Sequence, residues 1–274
     1  TYLWRGVFSV SESQLKRRAF LKASAAVGGA LSVSPLSRAA TGSESASREY
    51  YEWRTYRVKS AEQSERVVKF VKEAALPAWK RLGIGPVGVF RETGDQASSS
   101  LHVLLTFPRW DLCAIERTSL EDDAGYREAA AEYLAADKSD PAFESIDSWW
   151  MSAFAAQPQL LAPEGKPRCY ELRTYYSHSE AKARRKIEMF NAGEIPIFKS
   201  AGFSTVFFGE ALVGSGLPHL KYMLAAPDKA ANDAGWQNFI NHPDWAAMKD
   251  LPQYADTVSR IERLYLEPLD FSEV

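Results

Sequence analysis

The sequence lacks several features that would at once assign it to a class of proteins. Among its 274 residues there is no apolar run close to the length that a membrane-spanning helix needs, so no stable membrane span is predicted. Its two cysteines, Cys113 and Cys169, are not in a CxxC pair and allow at most one internal disulfide bond. We interpret both as buried free thiols, a common state of isolated cysteines.

Motifs for metal, nucleotide and serine chemistry are also missing. The four histidines have neither HxH nor HExxH spacing, and no carboxylate cluster has the spacing of a metal-binding loop, so no metal and no other cofactor is predicted. There is no GxSxG motif for a nucleophilic serine. The GSG at 214–216 is not followed by GKS or GKT and indicates a hairpin turn rather than a phosphate-binding loop.

A strong net charge is absent too, since the formal charge at pH 7 is −2. The first 40 residues carry an excess of lysine and arginine, whereas the rest of the chain is mildly acidic. A mildly acidic body argues against nucleic acid as the main partner. With 46% hydrophobic and 25% charged residues, the composition is typical of a globular protein.

The basic N-terminal stretch resembles the twin-arginine export signal of bacteria. The resemblance to its RRxFLK pattern rests on Arg17, Arg18, Phe20, Leu21 and Lys22. An Ala- and Gly-rich stretch and small residues before Ala40 follow, as a cleaved signal peptide requires. The resemblance implies that residues 1–40 are removed, that the twin-arginine translocase is a partner, and that the protein is exported to the periplasm or beyond. A basic amphipathic helix or a mitochondrial presequence is the alternative.

An internal repeat is the most informative feature of the remaining chain. YEWRTY at 51–56 returns as YELRTY at 170–175, a spacing of 119 positions, and this register continues without a gap to Pro108 and Pro227. A run of this length indicates a tandem duplication. It divides the chain after the signal into a first unit at 41–153, a proline-containing linker at 154–168 and a second unit at 169–274.

Both units show the same order of predicted elements. An alternating strand is followed by a long helix, two strands, a second helical stretch and a last strand, which is the β-α-β-β-α-β order of ferredoxin-like units. Pro77 and Pro196 are predicted to kink the long helices or to end their regular hydrogen-bond ladder, and Gly83 and Gly202 to end the helices. The predicted fold class is therefore α+β, with two tandem ferredoxin-like units.

A unit of this kind has helices on one face of its sheet and leaves the other face open. An open apolar face must be buried or functional. Two tandem units can bury these faces against each other, so the sequence predicts an α+β barrel closed within one chain. Pairing of each unit with a second chain, and hence a homo-oligomer, stays open as an alternative.

Three segments carry a resemblance to the NIPSNAP family. They are the YELRTY strand, the helix end IPIFKSAG and the aromatic stretch GWQNFINHPDWAAM, and the similarity extends over 50–152 and 169–268. That family is similar to the dimeric α+β barrel proteins, a superfamily that includes cofactor-free oxygenases, isomerases and haem-handling enzymes. The resemblance therefore implies the fold, whereas most NIPSNAP members have no assigned reaction.

The repeated strands supply the candidate ligand-binding residues. Side chains alternate along a strand, and the more apolar set that includes Tyr51 and Trp53 is expected to pack on the helices. The polar set is then predicted to line a cavity between the two sheets; it consists of Glu52, Arg54 and Tyr56 in the first unit and Glu171, Arg173 and Tyr175 in the second. Alternatively, each Glu forms an ion pair with an Arg, and these residues bind no ligand.

Histidine and tryptophan give weaker indications. His178 follows the first strand of the second unit and is the candidate catalytic base, although an exposed loop histidine is the alternative. His102 and His178 are the candidates for a haem ligand. Trp236 and Trp245 lie in an aromatic stripe at helical spacing, which favours core packing.

Three functions remain open on this evidence. The first is an exported protein that binds a small organic acid in a polar cavity without turnover. The second is a cofactor-independent oxygenase or isomerase, which requires a cavity Glu or His with a strongly shifted pKa. The third, with the least support, is a haem-binding protein.

Overall fold

A computed structural model describes residues 47–94, 98–165 and 169–274. The predicted export signal and its cleavage site lie outside the described residues. Within them the strands are β1 Tyr50–Arg57, β2 Gly88–Glu92, β3 Leu101–Phe107, β4 Ser145–Ala153, β5 Cys169–Tyr176, β6 Ser204–Val213, β7 His219–Ala226 and β8 Arg260–Pro268.

Helices connect these strands in both halves of the chain. The first half has α1 Ala61–Phe70, α2 Leu76–Arg81, α3 Trp110–Asp122, α4 Ala124–Ala129 and α5 Ala131–Leu134. The second half has α6 Glu180–Met189, α7 Ile195–Ser200, α8 Lys229–Ile240 and α9 Pro243–Lys249. π-Helical segments at Val71–Ala75 and Phe190–Glu194 join α1 to α2 and α6 to α7, and a 3₁₀ turn covers Pro252–Tyr254.

The eight strands form one closed sheet in the order β1-β3-β2-β8-β5-β7-β6-β4. All pairings are antiparallel, and β4 returns to pair with β1. The first four strands lie in the order β4-β1-β3-β2 and the last four in the order β8-β5-β7-β6. The sheet therefore closes within one chain, at the β2–β8 and β4–β6 seams.

The element bounds repeat with the spacing that the sequence shows. α1 begins at Ala61 and α6 at Glu180, and the π-helical segments end at Ala75 and Glu194, in each case 119 positions apart. Each π-helical segment ends two residues before a proline, which cannot donate the backbone hydrogen bond of a regular helix. The predicted interruption of the regular hydrogen-bond ladder near Pro77 and Pro196 is thereby confirmed.

The barrel interior is filled by side chains from all eight strands. Tyr51, Trp53, Phe90, Tyr170 and Met223 belong to this interior cluster, and all are buried. Two further clusters lie between the outer face of the sheet and the helices, one in each half. Layers of this kind place helices outside and the helix-free faces inside, as expected for a mixed α+β barrel.

The predicted facing of β1 and β5 is wrong. Glu52, Arg54, Tyr56, Glu171, Arg173 and Tyr175 face the helices, and the set with Tyr51 and Trp53 faces the barrel interior. The interior is wide enough for large aromatic rings, so they bury more apolar area there. The helices in turn carry polar groups that satisfy the charges, which removes the need for a polar interior.

The connection between the halves is attached to the barrel. The amide of Leu160 donates to Glu49 Oε2 at 2.6 Å, the amide of Leu161 donates to Val206 O at 2.9 Å, and Gln157 is buried. The composition of 154–168 predicts a linker, and its described part packs along the wall.

Both cysteines are free, as predicted, with Cys169 buried and Cys113 only half-buried. No helix in the described ranges has the length and apolar character that crossing a membrane requires.

Candidate functional site

A cavity of about 560 Å³ lies in the second half, between α6, α8 and α9 and the outer face of β5 and β8. We call it the helix-side cavity. Its chemically distinctive lining residues are Arg173, Tyr175, Lys186, Glu194, Trp236 and Trp245. Strand alternation and helix packing bring these side chains together from five elements: β5, α6, the π-helical segment after it, α8 and α9.

Glu171 anchors the polar side of this cavity. Its Oε1 accepts a hydrogen bond from Arg173 Nε at 2.7 Å, and its Oε2 accepts from Trp236 Nε1 at 2.6 Å and Asn232 Nδ2 at 3.0 Å. The Glu171 side chain is fully buried, so these three donors replace the water that the carboxylate loses. They also hold Arg173 and Trp236 in fixed positions.

Arg173 presents part of its guanidinium to the cavity. The guanidinium carbon lies 3.4 Å from the centroid of the Trp236 ring, which is the geometry of a stacked cation–π contact. Its Nη1 donates to the Tyr175 hydroxyl at 3.4 Å, while Nη2 has no hydrogen-bond partner among the described residues. A planar donor edge therefore remains available to a carboxylate or another oxygen acceptor.

A buried ion pair lies on the opposite wall. Lys186 Nζ donates to Glu194 Oε2 at 2.7 Å, and neither side chain is more than 6% exposed. The ammonium also lies 4.8 Å from the Phe190 ring centroid and 5.6 Å from that of Trp245. Burial raises the pKa of Glu194, and the neighbouring Lys186 and Arg173 offset that rise only in part. The carboxyl can therefore take up a proton nearer to neutrality than an exposed one.

The equivalent region of the first half is built differently. Glu52 accepts from Arg54 through both oxygens, at 2.9 and 2.6 Å, and from Ser148 Oγ at 2.6 Å. Arg54 is also 3.7 Å from Glu116, which accepts a 2.6 Å hydrogen bond from Trp79 Nε1. Glu52, Arg54 and Tyr56 do not line the helix-side cavity.

The structure thus brings two of the six predicted ligand-binding residues, Arg173 and Tyr175, to a cavity and places Glu171 directly behind them. The cavity is not the predicted one between the sheets, because these side chains face the helices. His178, the predicted base, is exposed in the turn after β5 and lines neither cavity. This position agrees with the alternative interpretation of His178 as an exposed loop histidine.

The sequence reasoning missed Lys186 and Glu194. A signal for them exists in the repeat, because they occupy the positions of Val67 and Ala75 in the first half, 119 residues earlier. A charged pair in place of a buried apolar pair marks the two halves as different. Trp236 and Trp245 pack against the core of the second half, as the aromatic stripe predicts, and both also line the cavity.

The cavity residues do not fit haem. No histidine, cysteine or methionine lines the helix-side cavity. Of its two phenols, Tyr175 already accepts a hydrogen bond from Tyr222 at 2.8 Å, and the Tyr265 ring lies beside the Lys229 ammonium, which is 5.0 Å from the ring centroid. His102 lies elsewhere, with both ring nitrogens hydrogen-bonded to Thr55 and Glu92. Nowhere in the described chain do three or more metal-ligating side chains gather.

Comparison with known proteins gives a family for the second half. The NIPSNAP family model matches residues 170–273, so this part of the chain forms a NIPSNAP domain. No curated protein matched the chain.

Solved structures with a similar fold include a candidate monooxygenase from Fusobacterium nucleatum, 9% identical, with a TM-score of 0.54 over 81% of this chain and 93% of that one. A second candidate monooxygenase, from Lactobacillus acidophilus, is 10% identical, with a TM-score of 0.53 over 81% and 94% of the chains. A haem-binding protein from Thermus thermophilus is 13% identical, with a TM-score of 0.43 over 81% and 92%. The first two likenesses show a mixed α+β fold of the dimeric α+β barrel type and leave activity open.

Proposed function

From a NIPSNAP domain at residues 170–273 whose helices cover a polar and aromatic cavity, we propose that the protein binds a small organic acid in the helix-side cavity. We infer that the two halves are duplicated ferredoxin-like units, which the strand orders β4-β1-β3-β2 and β8-β5-β7-β6 support. In this arrangement the second unit holds the ligand and the first completes the barrel.

The observation that carries the proposal is the free Nη2 edge of Arg173, stacked on Trp236 beside the helix-side cavity. An oriented guanidinium binds a carboxylate in a bidentate manner. Trp236 and Trp245 offer ring faces to the apolar body of the ligand. A volume of about 560 Å³ lies within the range of small-molecule pockets, so an aromatic acid of one or two rings fits.

The test is a titration of the protein with 2-naphthoate, followed by tryptophan fluorescence. Saturable quenching is expected, because Trp236 and Trp245 line the cavity. Arg173→Met should weaken binding about tenfold or more, since a charge-assisted hydrogen bond contributes about 1.5–3 kcal/mol. The neutral 2-naphthol should bind the wild type more weakly than 2-naphthoate.

The first half supplies a matched control for this titration. Arg54→Met removes the equivalent guanidinium, which also pairs with the preceding glutamate but lines no described cavity. It should leave the affinity for 2-naphthoate unchanged. No saturable quenching of the wild type, or an equal loss of affinity in both variants, would contradict the proposal.

A cofactor-independent oxygenase or isomerase is the second candidate, and Glu194 favours it. Its pKa is raised by burial, and a carboxylate with such a pKa is suited to remove a proton next to a carbonyl group. The wild type should then exchange the α-protons of 1-phenyl-2-propanone for deuterium faster than Glu194→Gln. Equal exchange rates would leave binding without turnover as the function. Haem binding has no support from the cavity residues.

We also infer export through the twin-arginine pathway, which rests on the Arg17–Arg18 motif alone. A reporter fused after residue 50 should reach the periplasm of a bacterial host. Changing both arginines to lysine should retain it in the cytoplasm, and export of that variant at the wild-type level would refute the inference.

A further inference from the structure

A second cavity, of about 320 Å³, lies at one end of the barrel interior. We call it the barrel-mouth cavity. Both halves contribute to it at equivalent strand positions, since it is lined by Thr55 and His102 of the first half and by Thr174 and Lys221 of the second. β1 and β5 run in the same direction around the antiparallel barrel, so their last residues meet at this end. The interior beyond it is packed with aromatic and aliphatic side chains.

The two halves place different chemical groups at the same register. Thr55 faces His102 across the β1–β3 ladder, and Thr174 faces Lys221 across the β5–β7 ladder. In each case the threonine hydroxyl is hydrogen-bonded to its partner, at 2.9 Å to His102 Nδ1 and at 2.8 Å to Lys221 Nζ. The cavity therefore combines an imidazole and a primary amine that are both held in place.

Lys221 has the surroundings of a nucleophilic lysine. The side chain is 5% exposed, and its Nζ lies 4.6 Å from the centroid of the Trp149 ring. Among the described residues no carboxylate lies within 4 Å of this ammonium. Burial lowers the pKa of Lys221 to about 8, with Glu262 opposing the change weakly. A substantial share of the amine is thus neutral near neutral pH, and only the neutral amine attacks a carbonyl.

His102 is arranged to move protons in the same cavity. Its Nε2 lies 2.8 Å from Glu92 Oε1, and its ring stacks on Trp53 with the centroids 5.4 Å apart. Burial of Glu92 disfavours its charge, but hydrogen bonds from His102 and Ser98 outweigh this and lower the pKa of Glu92 to about 2. A permanent carboxylate therefore orients the imidazole, as in known acid–base pairs.

We propose that Lys221 is a nucleophile that forms a Schiff base with a small aldehyde or ketone in the barrel-mouth cavity. The lone pair of Nζ attacks the carbonyl carbon, and a C–N bond forms as the C=O π bond opens. Both protons of the amine then leave with the carbonyl oxygen as water, and His102 exchanges protons with the reacting atoms through the Thr55 hydroxyl that is bonded to its Nδ1. The step needs no oxidant or reductant, and it is independent of the helix-side cavity.

The size and lining of the cavity limit the carbonyl compound. A volume of about 320 Å³ takes a compound of few heavy atoms. The walls combine Trp53 and Trp149 with Lys221, Glu92 and Arg57, so both apolar and polar substituents find partners. A short-chain aldehyde or 2-oxo acid matches these properties.

Reductive trapping tests the proposal on the full chain. The protein is incubated at pH 7.5 with glyoxylate and sodium cyanoborohydride, and modified lysines are located by peptide mass mapping. The initial rate at Lys221 should exceed that at Lys59 and Lys80 by about tenfold or more, because those two ammoniums are exposed and paired with Glu144 and Glu273, whereas Lys221 is buried without a carboxylate partner among the described residues. An equal or lower rate at Lys221 would overturn the proposal.

Three variants separate the chemistry from folding. Lys221→Met should lose this fast adduct and keep the slow adducts at exposed lysines, with an unchanged circular dichroism spectrum. His102→Gln should slow the reaction at Lys221 about tenfold or more, since positioned proton transfer typically contributes that much or more. His178→Gln, a histidine outside both cavities, should leave the rate unchanged. If Lys221 of the His102→Gln variant formed the adduct at the wild-type rate, His102 would have no part in the proton transfer.

Discussion

The helix-facing sides of β1 and β5 share a backbone and a Glu–Arg pair but differ in everything around that pair. In the first half, Arg54 is enclosed by Glu52, Glu116 and Trp79. In the second half, Arg173 stacks on a tryptophan and borders an open space. The same strand motif thus supports a packed core in one half and a cavity in the other.

The difference extends to the long helices. α1 and its π-helical extension bury Val67 and Ala75, whereas the second half buries Lys186 and Glu194 at the same positions. Since the first half forms this helix without an ion pair, the fold does not require one. Buried ion pairs also contribute little net stability. This comparison therefore favours a role of the Lys186–Glu194 pair in ligand binding or proton transfer rather than in folding.

The barrel mouth shows the same divergence inside the sheet. The first half provides His102 with Glu92 as its partner, and the second provides Lys221, with Ala211 at the position equivalent to Glu92. The two halves have equivalent backbone positions here, and the side chains at those positions determine the chemistry. The two halves are unlike at the two cavities and alike in the bounds of their long helices.

The largest effect is expected from breaking the ion pair of the second half. Lys186→Met leaves Glu194 buried without its partner, which should lower the free energy of unfolding at pH 7 by about 3–5 kcal/mol. The folded-state pKa of Glu194 is already raised and rises further in this variant. A raised carboxyl pKa destabilises only above the unfolded-state value, so the loss should shrink as the pH falls toward 4.5. Urea unfolding at pH 7 measures the loss of stability, and the same experiment at pH 5 measures how far that loss shrinks.

The control for this variant converts the second half toward the first. Lys186→Met combined with Glu194→Leu replaces both charges by apolar side chains of similar volume, as Val67 and Ala75 do in α1 and its extension. Its stability should lie within about 1–2 kcal/mol of the wild type. If the double variant were as unstable as the single one, the comparison with the first half would fail.

A smaller effect is expected at the barrel mouth from Glu92→Gln. The folded-state pKa of Glu92 is lowered from 4.5 to about 2, so the ionised group stabilises the fold above pH 4.5 and this contribution is lost as the pH falls toward 2. The full shift corresponds to about 3 kcal/mol, and solvent screening of a partly exposed group reduces it to about 1–2 kcal/mol.

The variant should therefore be less stable than the wild type at pH 7 and nearly equal to it at pH 2.5. Denaturant titrations at the two pH values give the difference directly. An equal loss of stability at both values would show that Glu92 acts through packing rather than through its charge. Ala211 offers no such group, so a change there should have no comparable pH dependence.

The sequence contains enough information for the elements and their order, because the repeat fixes equivalent strands and helices and Pro77 and Pro196 mark the kinks. It does not show which face of β1 and β5 points inward. Alternation assigns Glu52 and Arg54 to one face, but the choice of face depends on partners such as Glu116 and Asn232, which come from distant helices.

The residues that line the cavities could be predicted only in part, because they come from elements that are distant in the sequence. Arg173 and Tyr175 follow from the repeated strand, yet Lys186 and Glu194 are conspicuous only when the two helices are compared position by position. The alignment of His102 with Lys221 is visible in the sequence. Their role is not, because it depends on burial and on Glu92, which the β2–β3 pairing brings to His102.

The smallest effects are expected where the two halves are alike, at the N-caps of their long helices. Ser60 Oγ accepts from the amide of Gln63 at 3.1 Å, and Ser179 Oγ accepts from the amide of Lys182 at 3.3 Å. Ser60→Ala and Ser179→Ala should each lower the free energy of unfolding by about 1 kcal/mol, because each leaves one amide of the first helical turn unsatisfied. Thermal and urea unfolding measure the two losses side by side.

Equal losses would place the divergence of the halves in their cavity-lining side chains, with the local backbone energetics retained from the duplication. The two changes lie far apart in the fold, so the double variant should lose about the sum of the single losses. If Ser179→Ala lowered the free energy of unfolding by more than about 2 kcal/mol, the N-cap would be the main interaction that stabilises α6. Such a loss is expected if α6 packs less tightly because it borders the helix-side cavity. The stability of the second half would then depend on the same cavity in which we propose that the ligand binds.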